Sequence, residues 1–266
     1  MQIIGNKVVW ITGASSGIGE QLALQLAARG AKIVLSSRSE TELMRVKNSC
    51  KLSDERILIL PLDLSNTTEV SEQTKKVIEK FGRIDILINN GGISQRSQAT
   101  ETPIAIDRKI MEVNFFGTVA LTKSVLPEMI KQNSGQIVVI SSVAGKFGFY
   151  LRSAYSASKH ALHGFFESMR MEVGKYKIGV LIICPGKIQT NISVNAIKGD
   201  GTKHGQMDES QAKGITVADC ATQIINAIIK EKEEIYIGQA KERFALWMKR
   251  IFPSIFSKQI KKQKPE

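Results

Sequence analysis

The sequence has few residues of the kinds that build disulfide frameworks, metal sites or membrane spans. Its cysteines, Cys50, Cys184 and Cys220, are odd in number and scattered, and with only three histidines they show no metal-ligand spacing. We therefore expect free, inert thiols in a reducing, cytoplasmic setting and no bound metal. No apolar run approaches the roughly 18–20 residues of a membrane-spanning helix, and no long apolar stretch precedes residue 7, so neither a span nor a signal peptide is expected.

Basic residues are in excess, but they are unevenly distributed. The net charge is +12, and residues 241–266 carry half of it, with eight lysines and arginines against two glutamates. The smaller excess in the rest of the chain suits an anionic cofactor or solubility. Zinc-finger and RNA-binding signatures are absent, so the pattern predicts no nucleic-acid partner.

Short apolar segments alternate with helical ones along most of the 266 residues, of which 42% are apolar. This pattern predicts a single α/β domain, in which a parallel sheet of about seven strands is covered by helices on both faces. The predicted strands are 7–11, 32–36, 56–60, 84–88, 136–141, 179–184 and 234–237. The predicted helices are 17–29, 39–50, 67–81, 106–131, 154–176 and 217–230. Residues 199–205 are the one flexible-looking interior stretch.

A glycine-rich turn lies between the first predicted strand and the first predicted helix. Gly13, Gly17 and Gly19 permit a tight turn and a close approach of the backbone to a pyrophosphate, which the N–H groups of the helix N-terminus would bind. The spacing is G-x-x-x-G-x-G instead of G-x-G-x-x-G, and it lacks the G-K-[ST] ending of a nucleoside-triphosphate loop. The turn therefore predicts a dinucleotide cofactor.

The end of the second predicted strand distinguishes the two nicotinamide cofactors. NAD-dependent proteins usually carry an acidic residue there for the ribose 2′-hydroxyl, whereas this chain has Ser37 and Arg38 and no acid before Glu40. Arg38 can pair with a 2′-phosphate, and the Ser37 hydroxyl can donate to it. The alternative is a solvated loop arginine. The missing carboxylate favours NADP(H) over NAD.

A hydroxyl, a phenol and an ammonium group are expected to converge near the middle of the chain. Tyr155 and Lys159 lie one turn apart on a predicted helix, so their side chains share a face, and Ser142 directly follows a predicted strand. Tyrosine–lysine pairs at this spacing also occur on ordinary solvated helices. Taken with the glycine-rich turn, the three residues predict a site where one substrate oxygen meets the cofactor.

These motifs, in this order and at these spacings, resemble those of the short-chain dehydrogenase/reductase family. The set comprises Thr12–Gly19, Asn89–Gly92, Asn114, Ser142, Tyr155-x-x-x-Lys159 and Pro185–Gly186, and the resemblance covers residues 5–238. It implies a Rossmann-type doubly wound domain over residues 1–240 with a substrate loop near 190–215, and a homodimer or homotetramer. One departure is Asn-Asn-Gly-Gly, where the family usually has Asn-Asn-Ala-Gly. Residues 90–97 and 158–166 are most similar to the branch named dehydrogenase/reductase member 7.

Taken with the resemblance, individual residues receive roles. Tyr155 would be the general acid in reduction and the base in oxidation, and its pKa of about 10 would be lowered by Lys159 and by an oxidised nicotinamide. Lys159 would also hold the ribose, Ser142 would polarise the substrate oxygen, and Asn114 would kink a helix and hold a water for proton relay. The implied cofactor residues are Gly13, Ser15, Ser16, Gly17, Ile18, Gly19, Ser37, Arg38, Asp63, Leu64, Asn90, Gly91, Tyr155, Lys159, Pro185, Gly186, Ile188 and Thr190.

Some of these residues also have simpler interpretations. Asp63 could cap a loop, Pro185–Gly186 could form a turn, and Asn114 could bond its own helix backbone. Only their occurrence together favours the functional roles.

Apolar residues occur in two segments that border the expected substrate site. They are Phe147, Phe149, Tyr150, Leu151, Ile192, Val194, Ala196 and Ile197. They predict a mainly apolar pocket, unless they serve only packing, and by resemblance the substrates would be steroid, retinoid, quinone or lipid-like carbonyl compounds. Gln95 and Arg96 could contact a polar end of the substrate or be solvated.

The segment 241–266 combines basic residues with aromatic ones. Phe244, Trp247, Met248 and Ile251 have helical spacing and would form one apolar face. The favoured interpretation is a helix that packs over the substrate pocket or on a subunit partner. The alternative is peripheral contact with an anionic membrane surface.

The sequence predicts an NADP(H)-dependent oxidoreductase that acts reversibly on a carbonyl or secondary alcohol. One alternative is a non-catalytic NADP-binding or scaffold protein on the same fold, which would be expected to lose Ser142, Tyr155 or Lys159. Another is an isomerase or dehydratase with a tightly held cofactor, for which the chain offers no added substrate domain.

Overall fold

Alternating side chains of the first strand point to opposite faces of a central sheet. In β1 (Val8–Thr12), Val9 and Ile11 join the apolar core on one face, whereas Val8 and Trp10 join the core on the other face. This is the two-residue period of a strand, and all five residues of β1 are buried. A strand that is apolar on both sides must be covered on both sides, which is why helices lie on both faces.

The computed structural model describes residues 4–262, and within them the sheet has seven strands, all paired in parallel. The order is β3-β2-β1-β4-β5-β6-β7. The strands after β1 are β2 (Lys32–Ser36), β3 (Ile57–Ile59), β4 (Ile86–Asn89), β5 (Gly135–Ile140), β6 (Ile178–Pro185) and β7 (Glu234–Ile237). The predicted α/β class with a doubly wound parallel sheet is confirmed.

The helices follow the strands in the predicted alternation. They are α1 (Gly17–Ala28), α2 (Glu40–Cys50), α3 (Val70–Phe81), α4 (Ile104–Met111), α5 (Gly117–Gln132), α6 (Ser153–Val173), α7 (Glu209–Ala212), α8 (Val217–Ile229), α9 (Ala240–Ile251) and α10 (Pro253–Ile260). Helix α2 begins after Ser39, whose hydroxyl accepts from the backbone N–H of Glu42, and α3 ends at Gly82. Among the described helices, none combines the length and the apolar character that crossing a bilayer requires.

Two predicted helical segments differ from the structure. The region predicted as one helix over 106–131 is interrupted by a π-helical turn, Glu112–Phe116, between α4 and α5, and Asn114 is fully buried in that turn. The tail forms α9 and α10, which meet at Pro253, because proline cannot continue the preceding helix but is well placed at the start of a new one. Lys264 and Glu266, and the outer ends of the predicted units 1–240 and 241–266, lie outside the described residues.

The order of the strands places a crevice between β1 and β4. The chain runs outward from β1 through β2 to β3, then returns to β4 on the other side of β1, so the connections diverge at this pair. In open parallel sheets, ligands bind beyond the carboxyl ends of the strands at such a switch point. The segments that follow β1, β4, β5 and β6 therefore meet at one edge, and they carry the glycine-rich turn, Asn90, Ser142 and Gly186.

Candidate active site

The glycine-rich turn has the backbone geometry that a phosphate site requires. Gly13 has a φ of +62°, and a side chain on Gly19 would overlap the carbonyl oxygen of Gly13, so both positions require glycine. Ser16 precedes α1 and its side chain makes no capping hydrogen bond. The N–H groups of the first helical turn remain available to an anion, together with the positive end of the helix dipole.

Asn90 supports this turn from the next strand. Its side-chain Nδ2 donates to the carbonyl oxygens of Thr12 at 3.0 Å and Gly13 at 3.2 Å, and the hydroxyl of Thr12 accepts from the backbone N–H groups of Asn90 and Gly91. The amide nitrogen of Asn90 therefore holds the turn in place. The contact of Asn90 with the adenosine stays a prediction. Ser15 also contributes to the turn, where its carbonyl accepts from Arg45 at 3.1 Å.

At the adenosine end, Arg38 is exposed and makes no hydrogen bond or ion pair within residues 4–262, whereas Ser37 donates to the Ser39 carbonyl at 3.4 Å. Asp63 accepts from the N–H and hydroxyl of Ser65 at 2.9 and 2.7 Å, so it does cap a turn. Burial would raise the pKa of Asp63, but the Ser65 hydrogen bonds and the charge of Arg38 hold it below its ordinary value. Arg38 and this carboxylate therefore share one surface.

At the predicted adenosine end, Leu64 and Gly91 pack closely against each other. Leu64 is buried, and a side chain on Gly91 would lie only 2.6 Å from its Cδ1 methyl group. Gly91 therefore lets the loop after β4 approach the segment after β3. Leu64 packs inside the protein and limits the width of the groove in which an adenine would lie.

Ser142, Tyr155 and Lys159 line one pocket, as the sequence predicts for residues that share a substrate oxygen. The pocket also includes Ile18 of the glycine-rich turn and Asn90. The Ser142 hydroxyl accepts from the Ala144 N–H at 3.0 Å and lies 3.4 Å from the Pro185 carbonyl oxygen. The Ser142 hydroxyl, the Tyr155 phenol and the glycine-rich turn therefore border the same pocket.

The electrostatics of the pair differ from the prediction. Burial raises the pKa of Tyr155, and hydrogen bonding to Ser142 and the charges of Arg152 and Arg96 only partly oppose that shift. Lys159 is itself buried, its ammonium donates to the Ile140 carbonyl at 2.8 Å, and burial lowers its pKa to about 8. The expected lowering of the Tyr155 pKa by Lys159 and an oxidised nicotinamide is not seen in the protein alone, where burial outweighs the opposing charges of Arg152 and Arg96.

The side chain of Asn114 makes three hydrogen bonds, two to the backbone of Ile93 and one to Ser158. Its Oδ1 accepts from the Ile93 N–H at 2.8 Å, and its Nδ2 donates to the Ile93 carbonyl and to the Ser158 hydroxyl at 2.9 and 3.0 Å. Gly92 lies between Asn114 and Lys159, since a side chain on it would meet both. The side chain of Asn114 therefore positions the loop that faces Lys159, and its relay water stays a prediction.

The predicted nicotinamide residues lie against the glycine-rich turn. Pro185 ends β6, and the Gly186 N–H donates to the Ile237 carbonyl at 2.7 Å, so this segment is also a turn held by β7. A side chain on Gly17 would lie 3.3 Å from the Thr190 methyl group. Gln211 of α7 donates to the Ile188 carbonyl at 2.6 Å and to the Thr190 hydroxyl at 3.2 Å. The short helix α7 thereby covers this loop.

The pocket exposes more apolar than polar surface, as the sequence predicts, but most of the residues proposed for its lining lie elsewhere. Of the eight apolar residues proposed, only Phe149 and Ile192 line the pocket. Phe147 is buried and stacks on Phe149 at 4.8 Å, and Tyr150 is exposed. Sequence reasoning did not place several polar lining residues at the site, because they come from distant segments: Ser94, Arg152, Lys187, Ser210, Gln211 and Glu242.

Gln95 and Arg96 are both buried, so the solvated alternative is wrong for each. The Gln95 side-chain oxygen accepts from the Ala154 N–H at 2.9 Å, which anchors the start of the helix that carries Tyr155. Arg96 lines the pocket and pairs with Asp208.

A further polar cluster lies behind the pocket. Potential ligand atoms of His163, Cys184 and Glu234 lie within 4.8 Å of one another, although no sequence spacing indicated them. Lys146 already pairs with Glu234 at 2.9 Å, and burial raises the pKa of the Cys184 thiol. A protonated thiol and a carboxylate that already has a cationic partner are poor metal ligands, so these residues do not favour a metal site.

Comparisons with known proteins agree with this geometry. Residues 7–201 match the family model described as short chain dehydrogenase. Dehydrogenase/reductase SDR family protein 7-like of Anopheles gambiae is 44% identical over 265 residues, which cover 98% of this chain and 84% of that protein. Dehydrogenase/reductase SDR family member 7 of Homo sapiens is 44% identical over 88% of this chain and 70% of its own length. A short chain dehydrogenase/reductase structure from Burkholderia phymatum, in complex with NAD, has the same fold, with a TM-score of 0.83, 24% identity and coverage of 100% and 99% of the two chains.

Proposed function

The chain is an oxidoreductase of the short-chain dehydrogenase family, and we propose that it transfers a hydride between NADP(H) and a carbonyl or secondary alcohol. The observation that carries this proposal is the convergence of Ser142, Tyr155 and Lys159 on one pocket beside the glycine-rich turn. The bound nicotinamide would supply the hydride. A non-catalytic scaffold would not need a buried phenol aimed at a pocket with a hydroxyl beside it.

The protein groups supply the proton and hold the reacting oxygen. Because burial raises the pKa of Tyr155, the phenol is protonated at neutral pH and can donate to a carbonyl oxygen as negative charge develops there. Ser142 donates to the same oxygen and fixes its position. In the reverse direction, the Tyr155 phenolate accepts the alcohol proton, and positive charges near the phenol favour that form.

Lys159 and Asn114 complete the set. The ammonium of Lys159 is positioned by the Ile140 carbonyl, and its remaining N–H groups would bind the ribose hydroxyls. Asn114 holds the loop beside Lys159, and we propose that the π-helical turn around it accommodates the relay water.

NADP(H) is the cofactor we propose. The N–H groups of the turn would bind the pyrophosphate, and the unpaired guanidinium of Arg38 would bind the 2′-phosphate, with Ser37 as a second donor. Ile188 and Thr190 would hold the nicotinamide carboxamide. The substrate would have an apolar body, of steroid, retinoid, quinone or lipid-like type, which Phe149 and Ile192 contact.

A carbonyl panel tests the proposal. We expect the purified chain to oxidise NADPH in the presence of at least one apolar ketone or aldehyde, measured by loss of NADPH fluorescence, and to reduce NADP⁺ with the corresponding alcohol. NADPH binding without turnover of any panel member would contradict this function and favour a scaffold. If the purified chain does not bind NADPH, both the oxidoreductase function and the NADP-binding scaffold are contradicted.

We also propose that the protein is a homodimer or homotetramer. Ile104 on α4, Phe116 in the π-helical turn and Met171 on α6 are large apolar side chains exposed on neighbouring helices. Such residues are common in subunit interfaces. Light scattering on the purified protein measures the state, and a monomer at micromolar concentration would contradict it.

Helix α9 reaches the pocket and α10 packs on a neighbouring aromatic ring, while several apolar side chains of both helices are exposed. Glu242 of α9 lines the pocket, and Phe256 of α10 contacts the Phe147 ring at 5.1 Å. Met248 is buried, whereas the other members of the predicted apolar face are exposed, so that face is divided between core and surface. The exposed apolar residues of the two helices are Phe244, Trp247, Ile251, Phe252 and Ile255.

We propose that this surface, with its many basic neighbours, contacts an anionic membrane from the cytoplasm. Exposed Phe244 and Trp247 stack at 5.9 Å, and aromatic side chains among basic ones favour the membrane interface. We expect the protein to co-sediment with vesicles of anionic phospholipid, and Phe244→Ser with Trp247→Ser to reduce binding by roughly 10-fold or more. Met44→Ser, at an exposed apolar residue of α2, is the matched control. Negligible binding of the unmodified protein would remove the proposal.

A further inference from the structure

Two arginine side chains, Arg96 and Arg152, form one wall of the pocket and share the buried carboxylate of Asp208. Arg96 follows β4, Arg152 precedes α6, and Asp208 precedes α7. Arg152 Nη2 donates to Asp208 Oδ2 at 2.8 Å, and Arg96 donates to both oxygens of the same carboxylate, with its Nε 3.4 Å from Oδ1. The relative exposures of the Arg96, Arg152 and Asp208 side chains are 4%, 21% and 2%. Two guanidinium groups therefore share one carboxylate away from solvent.

This arrangement leaves one positive charge without a counter-charge. Buried charges are stable only when they are paired and hydrogen-bonded, and an unpaired one costs several kcal/mol. A substrate that carries a negative charge would supply the missing partner.

Arg152 is the member of the wall with donors to spare. Arg96 uses further N–H groups on the Gln95 carbonyl at 2.8 Å and on the Ser94 hydroxyl at 3.4 Å. Within the described residues, the Arg152 side chain makes a single hydrogen bond, the one to Asp208, and its guanidinium lies 5.7 Å from the centre of the Phe149 ring. The rest of its planar fork faces a pocket that it lines, and that fork matches a carboxylate.

The position of Arg152 suits a substrate that has an anionic oxygen group in addition to the reacting carbonyl. Arg152 lies one helical turn before Tyr155, both residues line the pocket, and the charge of Arg152 reaches the phenol strongly enough to oppose the rise in its pKa. A carbonyl held by Ser142 and Tyr155 would thus have a cation within the same chamber. Glu242, whose Oε1 is buried without a hydrogen-bond partner, would repel an anion at the opposite, nicotinamide-loop side and so favour one orientation.

We propose that the substrate carries a carboxylate that pairs with Arg152 while its carbonyl carbon accepts the hydride. Asp208, itself held by Arg96, fixes the guanidinium, so Arg152 is the specificity residue and the other two are positioning residues. This inference rests on the proposed oxidoreductase function and narrows its substrates to apolar carbonyl compounds with an acidic group. The competing explanation is that the three residues only fasten the 190–215 loop, in which the backbone N–H of Asp208 also donates to the Ser193 hydroxyl at 3.3 Å.

Matched substrates separate the two explanations. The probes are carboxybenzaldehydes and their methyl esters, in which one methyl group replaces the negative charge, reduced with saturating NADPH. In the unmodified protein we expect kcat/KM to be roughly 10- to 100-fold higher for the best acid than for its ester, which is the range of a charge-assisted hydrogen bond. Arg152→Gln should remove this preference mainly by raising KM for the acids, so that the ratio of kcat/KM for acid and ester falls to about one.

Arg108→Gln, at an exposed arginine of α4, is the control for the lost net charge, and its acid-to-ester ratio should not change. Esters reduced as well as acids by the unmodified protein would overturn the inference while leaving the oxidoreductase intact, and this result needs no variant. An equal loss for acids and esters in Arg152→Gln would assign the three residues to loop fastening. Turnover of neither acid nor ester nor any apolar carbonyl would overturn the proposed function itself, and the inference with it.

Discussion

Tyr155→Phe is expected to lower kcat by roughly 10³–10⁴-fold while NADPH affinity changes by less than about threefold. The phenol is the protonated group that faces the substrate oxygen, and phenylalanine keeps the ring and its packing but removes the proton. Burial holds the pKa of Tyr155 above its ordinary value, so the acid form is available throughout the neutral range. Single-turnover reduction of a carbonyl probe and titration of NADPH fluorescence measure the two quantities separately.

Tyr150→Phe provides the matched control, because Tyr150 lies five residues earlier on the same segment and is 54% exposed. It removes the same hydroxyl from a position outside the pocket, and we expect no change in kcat. Activity of Tyr155→Phe comparable to that of Tyr150→Phe would mean that another group donates the proton. Loss of NADPH binding in Tyr155→Phe would instead indicate a structural role for the phenol.

The elements of the fold were predictable because each depends on a local pattern. The strand over Lys32–Ser36 and that over Glu234–Ile237 have the predicted bounds, since apolar side chains there are enclosed by polar residues. Ser39 and Gly82 marked the helix ends for reasons that hold within a few residues, a capping hydroxyl and a left-handed backbone. The π-helical turn at Asn114 was not predictable in this way, because the bonds of Asn114 to Ile93 and Ser158 depend on packing between elements.

The convergence of Ser142, Tyr155 and Lys159 on one pocket was predictable, whereas many of the polar residues around them were not. Arg96 and Asp208 are 112 positions apart, and only the folded loop reveals that they pair. The same applies to Glu242, which reaches the pocket from the tail. The burial of Tyr155 was not predictable for a related reason: spacing on a helix shows which cation is near in sequence, whereas the depth of burial, which raises the pKa of the phenol in the protein alone, depends on the fold.

Arg38→Asp is expected to lower kcat/KM for NADPH by roughly 100-fold or more, and to change kcat/KM for NADH by less than about fivefold. The substitution removes a guanidinium that makes no internal hydrogen bond or ion pair in the described chain, so the fold loses little. It also introduces a carboxylate beside Asp63, whose low pKa depends partly on Arg38. Two carboxylates at this surface repel a 2′-phosphate, whereas they can accept hydrogen bonds from the ribose hydroxyls of NADH.

Initial rates with each cofactor, at a fixed carbonyl concentration and two salt concentrations, provide the measurement. Arg108→Asp makes the same change in net charge at an exposed residue of α4, and it should leave the NADPH-to-NADH ratio unaltered. Comparing the two variants separates pairing between Arg38 and the 2′-phosphate from the general attraction of a basic protein for an anionic cofactor. Salt weakens the long-range attraction strongly, whereas it weakens the local pair much less. If both cofactors lose activity equally in Arg38→Asp, Arg38 stabilises the loop instead of binding phosphate. Selectivity for NADPH would then have to come from the glycine-rich turn, where Arg45 is already paired with Glu20.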